Sequence, residues 1–145
     1  MMKASLQFNE NMHFTATNRH FNVPLDALGG VGGDEVAPTP KELLLDAMMG
    51  CTAMDVVSIL RKMRQEFDDF SMSIETESSK DHPIHFTKAT LFYYFKGEKI
   101  EKEKLEKAVT LSMTKYCGIN YMISKSCKIS YGIFLNEENF FSHNP

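Results

Sequence analysis

The sequence lacks the features of several large protein classes. It has 16 Lys and Arg against 19 Asp and Glu, a net charge of −3, so it lacks the basic surplus with which nucleic-acid-binding proteins neutralise phosphates. Residues 1–14 contain no apolar segment of the length that a signal peptide needs. The most apolar stretch, residues 43–60, is interrupted by Asp, Thr and Ser and does not predict a membrane span. These absences favour a cytoplasmic protein without nucleic-acid or membrane partners.

The cysteines are too few and too far apart for two familiar kinds of site. The three of them, Cys51, Cys117 and Cys127, are an odd number without short-range pairing, which is not typical of a secreted disulfide framework. No cysteine pair has the close spacing of a zinc site, and His82 and His85 are too near each other for helical metal spacing. The sequence therefore predicts no metal site and no cofactor.

The segment GGVGGDEVAPTP, residues 29–40, predicts a mobile connection because it contains four glycines and two prolines. It is not a phosphate-binding loop, since no Lys-Ser or Lys-Thr pair follows its glycines.

A long helix follows this connection. Thr39 is the expected N-cap, Pro40 suits the first helical position, and Glu42 completes a capping box. The helix is expected to continue to about Gln65. Residues 43–49 place apolar side chains around most of its circumference, which predicts that the first half is buried nearly all round, within the chain or at a subunit interface.

The remaining pattern predicts a single α+β domain over residues 1–145. Short strands precede the long helix, two strands follow it, and then come a helix over about residues 101–116, a short helix and a last strand. This order is typical of two main helices packed on an antiparallel or mixed sheet. The tail, residues 136–145, is expected to be loosely held.

Cys51 has two interpretations from its surroundings. It lies within the long helix beside Gly50, a residue that costs a helix roughly 1 kcal/mol against Ala and so suggests close approach of a backbone or ligand. Asp55 is its i+4 neighbour, and a nearby carboxylate would raise the pKa of a thiol. The alternative is that Cys51 is a small buried hydrophobe, which is a common setting for free cysteines.

Cys117 is better placed for chemistry because it falls at a helix break before Gly118. Amide groups of a following helical turn would lower its pKa, although a packed cysteine at a helix end is the alternative. Cys127 opens the last strand and is better explained by packing. A Cys-His hydrolase using His20 or His85 has no local signature in the sequence.

The segments PTPKELLLDAMMGCTAMDVVSILRK and LEKAVTLSMTKYCGINYMISKSCKISYGI resemble the OsmC/Ohr family of osmotically inducible and organic-hydroperoxide-resistance proteins. The match consists of a Pro-x-Glu-Leu-Leu helix start, a cysteine nine residues beyond Glu42, and a Tyr-Cys pair at the end of the second helix. The resemblance implies an OsmC-like α+β fold with a long buried central helix. It also implies an intertwined homodimer with active sites at the subunit interface.

For function, the resemblance implies a thiol-dependent peroxidase that reduces small organic hydroperoxides. Cys51 would be the peroxidatic thiolate, Cys117 the resolving thiol, and an external dithiol the reductant. Peroxidase members stabilise the thiolate with an arginine held by a glutamate, but residues 22–40 contain no arginine. Arg19 and Glu42 are the candidates for these two roles. The alternative function is a non-enzymatic dimer of the same fold that binds a small lipophilic or electrophilic molecule at the interface.

Overall fold

A computed structural model describes residues 1–145 and divides the chain into two compact units, Met1–Asp46 and Ala47–Pro145. The α+β class predicted from the sequence is confirmed, with three α-helices and two separate sheets. The assignment of residues 1–145 to one domain stays a prediction.

The first unit is built on a three-stranded antiparallel sheet. A two-residue turn, Arg19 and His20, joins the second and third strands, and Arg19 adopts a positive φ of 58° there. Leu6 and Phe8 are 60% and 54% exposed, so this sheet carries apolar side chains that are not buried. In spatial order the strands are β1 (Ala4–Glu10), β2 (His13–Asn18) and β3 (Phe21–Leu25).

The glycine-rich connection, expected to be mobile, is held by a buried carboxylate. Asp26 is 3% exposed and accepts hydrogen bonds from the backbone amides of Ala27, Asp34 and Val36 at 2.7 to 3.1 Å. Burial alone would raise the pKa of Asp26, but these amide hydrogen bonds hold it below its ordinary value. No repeating sequence pattern predicts this loop structure, because the loop is organised around the single side chain of Asp26.

The long helix, α1 (Pro40–Lys62), begins as the sequence predicts. The Thr39 amide donates to Glu42 Oε2 at 2.7 Å and the Glu42 amide donates to Thr39 Oγ1 at 3.4 Å, which confirms the capping box. Burial nearly all round the first half, which includes burial at a subunit interface, stays a prediction, because the structure describes a single chain. Only one stripe at i, i+4 spacing is buried, and it consists of Met48, Thr52, Val56 and Leu60.

Much of the apolar surface of α1 therefore lies outside the core of the chain. Leu43, Leu44 and Leu45 are half-buried, and Met54 is 76% exposed. By length and composition alone α1 could cross a membrane, a test that the core helix of a soluble protein also passes.

The second unit contains a four-stranded mixed sheet. Its two central strands are parallel, so the chain must cross over between them, and it does so through two helices and a π-helical turn. The strands in spatial order are β4 (Asp69–Ser78), β5 (Phe86–Lys96), β6 (Lys128–Leu135) and β7 (Glu138–His143). The crossover consists of α2 (Lys102–Leu111), the π-helical turn (Ser112–Tyr116) and α3 (Gly118–Ile123).

The core of this unit joins α1, α2 and the central strands. Alternate residues of β5 are buried, as period-2 burial of one face requires. They form one apolar cluster with side chains of the helices and of β6: Val56, Leu60, Leu91, Tyr93, Phe95, Ile100, Leu105, Ala108, Val109, Tyr131, Ile133 and Leu135.

The end of the chain differs from the prediction of a loosely held tail. Residues 138–143 form the edge strand β7, antiparallel to β6. The Phe141 ring lies 6.0 Å from the Tyr131 ring, and Lys102 Nζ lies 3.0 Å from a carboxylate oxygen of Glu138. Phe140 and Phe141 pack against the core. The two apolar residues Phe140 and Phe141, within an otherwise polar segment, were the sequence feature that could have predicted this strand.

Truncation tests whether β7 contributes to stability. Deletion of residues 137–145 is expected to lower the free energy of unfolding by about 1–3 kcal/mol, because two half-buried Phe side chains lose their contacts. The Tm should fall by several degrees. Deletion of Asn144 and Pro145 alone, which lie beyond β7, is the control and should leave the Tm unchanged. Equal Tm values for both deletions would contradict the role of β7.

Candidate functional site

Two of the three thiols lie together with a carboxylate. The Sγ atoms of Cys51 and Cys117 and a carboxylate oxygen of Asp55 all lie within 4.8 Å of one another. Cys51 and Asp55 come from one face of α1, one turn apart, whereas Cys117 comes from a part of the chain 66 residues further on. The structure thus brings together the two cysteines for which the sequence predicts a shared role.

The π-helical turn places Cys117 toward α1. Its amide donates to Ser112 O at 2.9 Å, five residues earlier, which closes the wide turn. The chain then leaves helical geometry at Cys117, whose φ and ψ are −72° and 97°. Cys117 is the N-cap of α3, and its Sγ accepts a hydrogen bond from the Asn120 amide at 3.5 Å. Turns of this kind occur often at functional sites.

A buried chain of hydroxyl groups ends on the carboxylate of the site. Thr52 Oγ1 lies 2.7 Å from the Tyr93 hydroxyl and 2.8 Å from Ser112 Oγ, and Ser112 Oγ donates to Asp55 Oδ2 at 3.1 Å. An ionised carboxylate only accepts hydrogen bonds. Ser112 therefore donates to Asp55 and accepts from Thr52.

A second set of contacts continues from Tyr93 to the helix that follows Cys117. Met113 Sδ lies 3.2 Å from the Tyr93 hydroxyl oxygen, and Asn120 Nδ2 donates to the same sulfur at 3.4 Å. Burial raises the pKa of Tyr93 far above its ordinary value, so its phenol stays protonated. The phenol therefore remains available as the hydrogen-bond donor to Met113 Sδ.

The environment of Cys117 is opposite to the one predicted from the helix break. Burial, first of all, and the hydrogen bond to Cys51 raise the pKa of the Cys117 thiol well above its ordinary value, and the charge of Asp55 adds to this. The Asn120 amide acts in the other direction but does not reverse the shift. The expectation of a lowered pKa is therefore wrong, because desolvation of a side chain that is 3% exposed exceeds the effect of one amide.

The surroundings of Cys51 are more open. Cys51 is half-buried, and no atom lies within 4 Å of the position that a Cβ on Gly50 would occupy. The close approach that Gly50 suggested is therefore not made within the chain. A half-buried thiol is partly accessible to a small molecule.

Cys127 stands apart from the pair. It is 4% exposed, its Sγ donates to Lys128 O at 3.8 Å, and burial raises its pKa. It lines a different cavity of about 640 Å³ together with Asn120, Lys125 and Lys128. This placement fits the packing role expected from the sequence.

The two predicted supporting residues lie in the other unit, Met1–Asp46. Arg19 occupies the turn between β2 and β3, with its guanidinium 5.1 Å from the centre of the Phe21 ring. Glu42 caps α1, and the hydrogen bond from the Thr39 amide lowers the pKa of its carboxyl. Their roles in catalysis stay predictions.

Sequence inspection missed the hydroxyl chain. Thr52 was the available signal, because it is the polar member of an otherwise apolar i, i+4 stripe. Tyr93 and Ser112 carried no such signal in the sequence. They lie 41 and 60 residues after Thr52, respectively, and each fits its own element without a polar partner.

Comparison with known proteins gives one consistent family. Residues 32–132 match the model of the OsmC-like protein family. Protein YhfA of Escherichia coli K12 is 33% identical over 130 residues, which cover 90% of this chain and 95% of YhfA.

Solved structures agree with this match. A hypothetical protein from Aquifex aeolicus is 29% identical with a TM-score of 0.79, covering 94% of this chain and 98% of that protein. An organic hydroperoxide resistance protein OsmC from Legionella pneumophila is 16% identical with a TM-score of 0.71, covering 92% and 96% of the two chains. The second similarity concerns the fold alone.

Alkylation at neutral pH should rank the three thiols. Cys51 is expected to react first with iodoacetamide because it is only half-buried, whereas Cys117 and Cys127 are 3% and 4% exposed with raised pKa values. Peptide mass spectrometry at increasing times measures the order. The unfolded protein is the control, in which all three thiols should react alike; faster labelling of native Cys117 would contradict the described burial.

Proposed function

The chain belongs to the family of OsmC-like proteins, and from that premise we propose that it is a thiol-dependent peroxidase that reduces organic hydroperoxides. The observation that carries the proposal is the position of the Cys51 and Cys117 sulfurs within 4.8 Å of each other, with Cys51 half-buried. A disulfide needs the sulfurs about 2.05 Å apart, so their approach requires a movement of a few ångströms at most.

The reaction would proceed in two steps at these sulfurs. The Cys51 thiolate attacks an oxygen of the hydroperoxide, the O–O bond breaks, and the alkoxide takes a proton and leaves as an alcohol. Cys51 is then a sulfenic acid. The Cys117 sulfur attacks this sulfur, water leaves, and a disulfide forms. An external dithiol returns both thiols by exchange and is itself oxidised to a disulfide.

The assignment of the two roles follows from burial and hydrogen bonding. Cys51 is the more exposed sulfur, so it can meet the substrate. Burial, first of all, and the hydrogen bond to Cys51 raise the pKa of Cys117. Cys117 therefore stays protonated until the sulfenic acid forms on Cys51.

Peroxide treatment tests these roles directly. Reduced protein treated with one equivalent of cumene hydroperoxide should gain a Cys51–Cys117 disulfide, and dithiol-dependent turnover should be measurable by peroxide consumption. Cys51→Ser should abolish both. Cys117→Ser should stop at a sulfenic acid on Cys51 that a dimedone probe captures. Cys127→Ser is the matched control and should retain both disulfide formation and turnover.

Two results would contradict the proposal. A disulfide that contains Cys127 would show that the roles are assigned to the wrong residues. Oxidation without turnover would favour the alternative, a non-enzymatic protein of the same fold that binds a small lipophilic or electrophilic molecule.

We also propose that two copies of the chain form a homodimer. Large apolar side chains are exposed in both units, including Leu6, Phe8 and Met54. Exposed apolar area of this kind marks protein interfaces more often than free surface. Gly50 supports the same proposal. Glycine destabilises a helix relative to alanine, and nothing outside its own helix lies within 4 Å of the position that a Cβ would occupy. Close approach of a second copy would explain a glycine at this position.

Charge placed on α1 tests the dimer. Met54 lies in a shallow groove of about 600 Å³ with Ala53, Val57 and Phe70. Met54→Glu should convert dimer to monomer in size-exclusion chromatography with light scattering, because burying an unpaired carboxylate is costly. Met122→Glu, at an exposed methionine of α3, is the control and should remain dimeric. A monomeric unsubstituted protein would refute the proposal.

A further inference from the structure

The cluster of Cys51, Asp55 and Cys117 has the composition of a metal site. It offers two sulfur ligands and one oxygen ligand, and all three atoms lie within 4.8 Å of one another. We propose that the reduced protein binds one Zn²⁺ ion through these three side chains, with the fourth position of the metal open. The inference concerns the same sulfurs as the proposed peroxidase, but binding of the metal does not depend on that activity.

The distances suit a tetrahedral ion. With Zn–S of about 2.3 Å and Zn–O of about 2.1 Å, tetrahedral angles place two sulfurs about 3.8 Å apart and a sulfur and an oxygen about 3.6 Å apart. The separations in the structure exceed these by at most about 1 Å, which side-chain rotation can supply. Cys51 and Asp55 are already aligned, because residues four apart share one helix face.

The charges of the site also favour a cation. The ion pairs of the unit Ala47–Pro145 are Lys88 with Glu77, Lys102 with Glu138, and Lys104 with Glu101. None of them includes Asp55. A divalent cation would therefore offset the charge of a carboxylate that no ion pair of this unit neutralises.

The hydroxyl chain would orient the carboxylate ligand. Ser112 donates to Asp55 Oδ2 and is itself held by Thr52. Hydrogen bonds of this kind fix the orientation of ligands around protein-bound metals. A ligand set of two thiolates and one carboxylate selects Zn²⁺ over Mg²⁺ and Ca²⁺, which prefer oxygen ligands alone.

The sequence spacing gave no sign of this site. No two cysteines lie two to four residues apart in the sequence. Two strands and a helix separate Cys117 from Cys51 along the chain. The i, i+4 pair of Cys51 and Asp55 is the only local part of the ligand set.

Zinc binding and disulfide formation would exclude each other, because each uses both sulfurs. When an organic hydroperoxide oxidises the bound site, the two thiolates supply two electrons to the O–O bond. Two protons from solvent complete the alcohol and water, the sulfurs join as a disulfide, and Zn²⁺ is released. The metal would thus protect the reduced pair, a regulatory consequence that rests on the proposed function.

Metal titration of the reduced, metal-free protein tests the binding step. Native mass spectrometry should show one Zn²⁺ per chain, and Co²⁺ should give the thiolate charge-transfer absorption of a tetrahedral site. Cys51→Ser, Cys117→Ser and Asp55→Asn should each weaken zinc binding by at least about tenfold, the lower range of effects seen even for residues around the ligands. Circular dichroism checks that each variant is folded.

Two substitutions serve as matched controls. Cys127→Ser removes a thiol outside the cluster, and Asp46→Asn removes an exposed carboxylate elsewhere on α1. Both should bind zinc as the unsubstituted protein does. Zinc binding that survives Cys51→Ser or Asp55→Asn, or that disappears in Cys127→Ser, would overturn the proposal.

The same preparations separate this proposal from the proposed function. Peroxidase turnover is measured on metal-free protein in the presence of EDTA, and zinc binding is measured without peroxide. Turnover without zinc binding would refute the metal site alone. Zinc binding without turnover would refute the peroxidase alone. Turnover that stops on addition of one equivalent of Zn²⁺ and returns with EDTA is the expected result.

Discussion

The hydroxyl of Thr52 is the contact on which the rest of the site depends. It joins α1 to β5 through Tyr93 and to the π-helical turn through Ser112, at 2.7 and 2.8 Å. All three side chains are fully buried, and a buried hydroxyl without a partner costs roughly 1–3 kcal/mol. The turn is therefore fixed against α1, and with it the position of Cys117 opposite Cys51. Packing of apolar side chains alone would not specify that position, because it has no preferred direction.

The same contacts determine the chemistry of the two thiols. Ser112, the last member of the hydroxyl chain, donates a hydrogen bond to Asp55. The side chain that it holds beside the two sulfurs is therefore a carboxylate. Burial and this carboxylate keep Cys117 protonated. The peroxidase proposal and the zinc proposal both depend on how the negative charge at these sulfurs is balanced. The two proposals are thus two consequences of one arrangement of charges.

The parts of the structure that depend on neighbouring residues were predictable, and those that depend on distant ones were not. The capping box of Thr39 and Glu42 and the pairing of Cys51 with Asp55 follow from local spacing. The nearness of Cys51 and Cys117 came from family resemblance and not from the residues themselves. The sign of the pKa shift of Cys117 was predicted wrongly, since sequence shows the helix end and does not show the burial. Strand β7 was missed because its partner β6 supplies the hydrogen bonds that make it a strand.

The exposed side of α1 explains why this helix can carry polar chemistry at its centre. One stripe of the helix packs against the core of its own chain and includes Thr52 at its middle. Placing a hydroxyl there gives up apolar burial, which is worth about 25 cal/mol per Å². The other side carries Met54, which is exposed, and Ala53 and Val57, which are half-buried, so a second copy of the chain that covered them would offset that loss. Because Cys51 is half-buried beside the fully buried Thr52, covering the apolar side would also enclose the thiol. Association and reactivity of Cys51 should therefore be linked, and the dimer-disrupting change Met54→Glu should alter the rate of alkylation at Cys51 without changing that at Cys127.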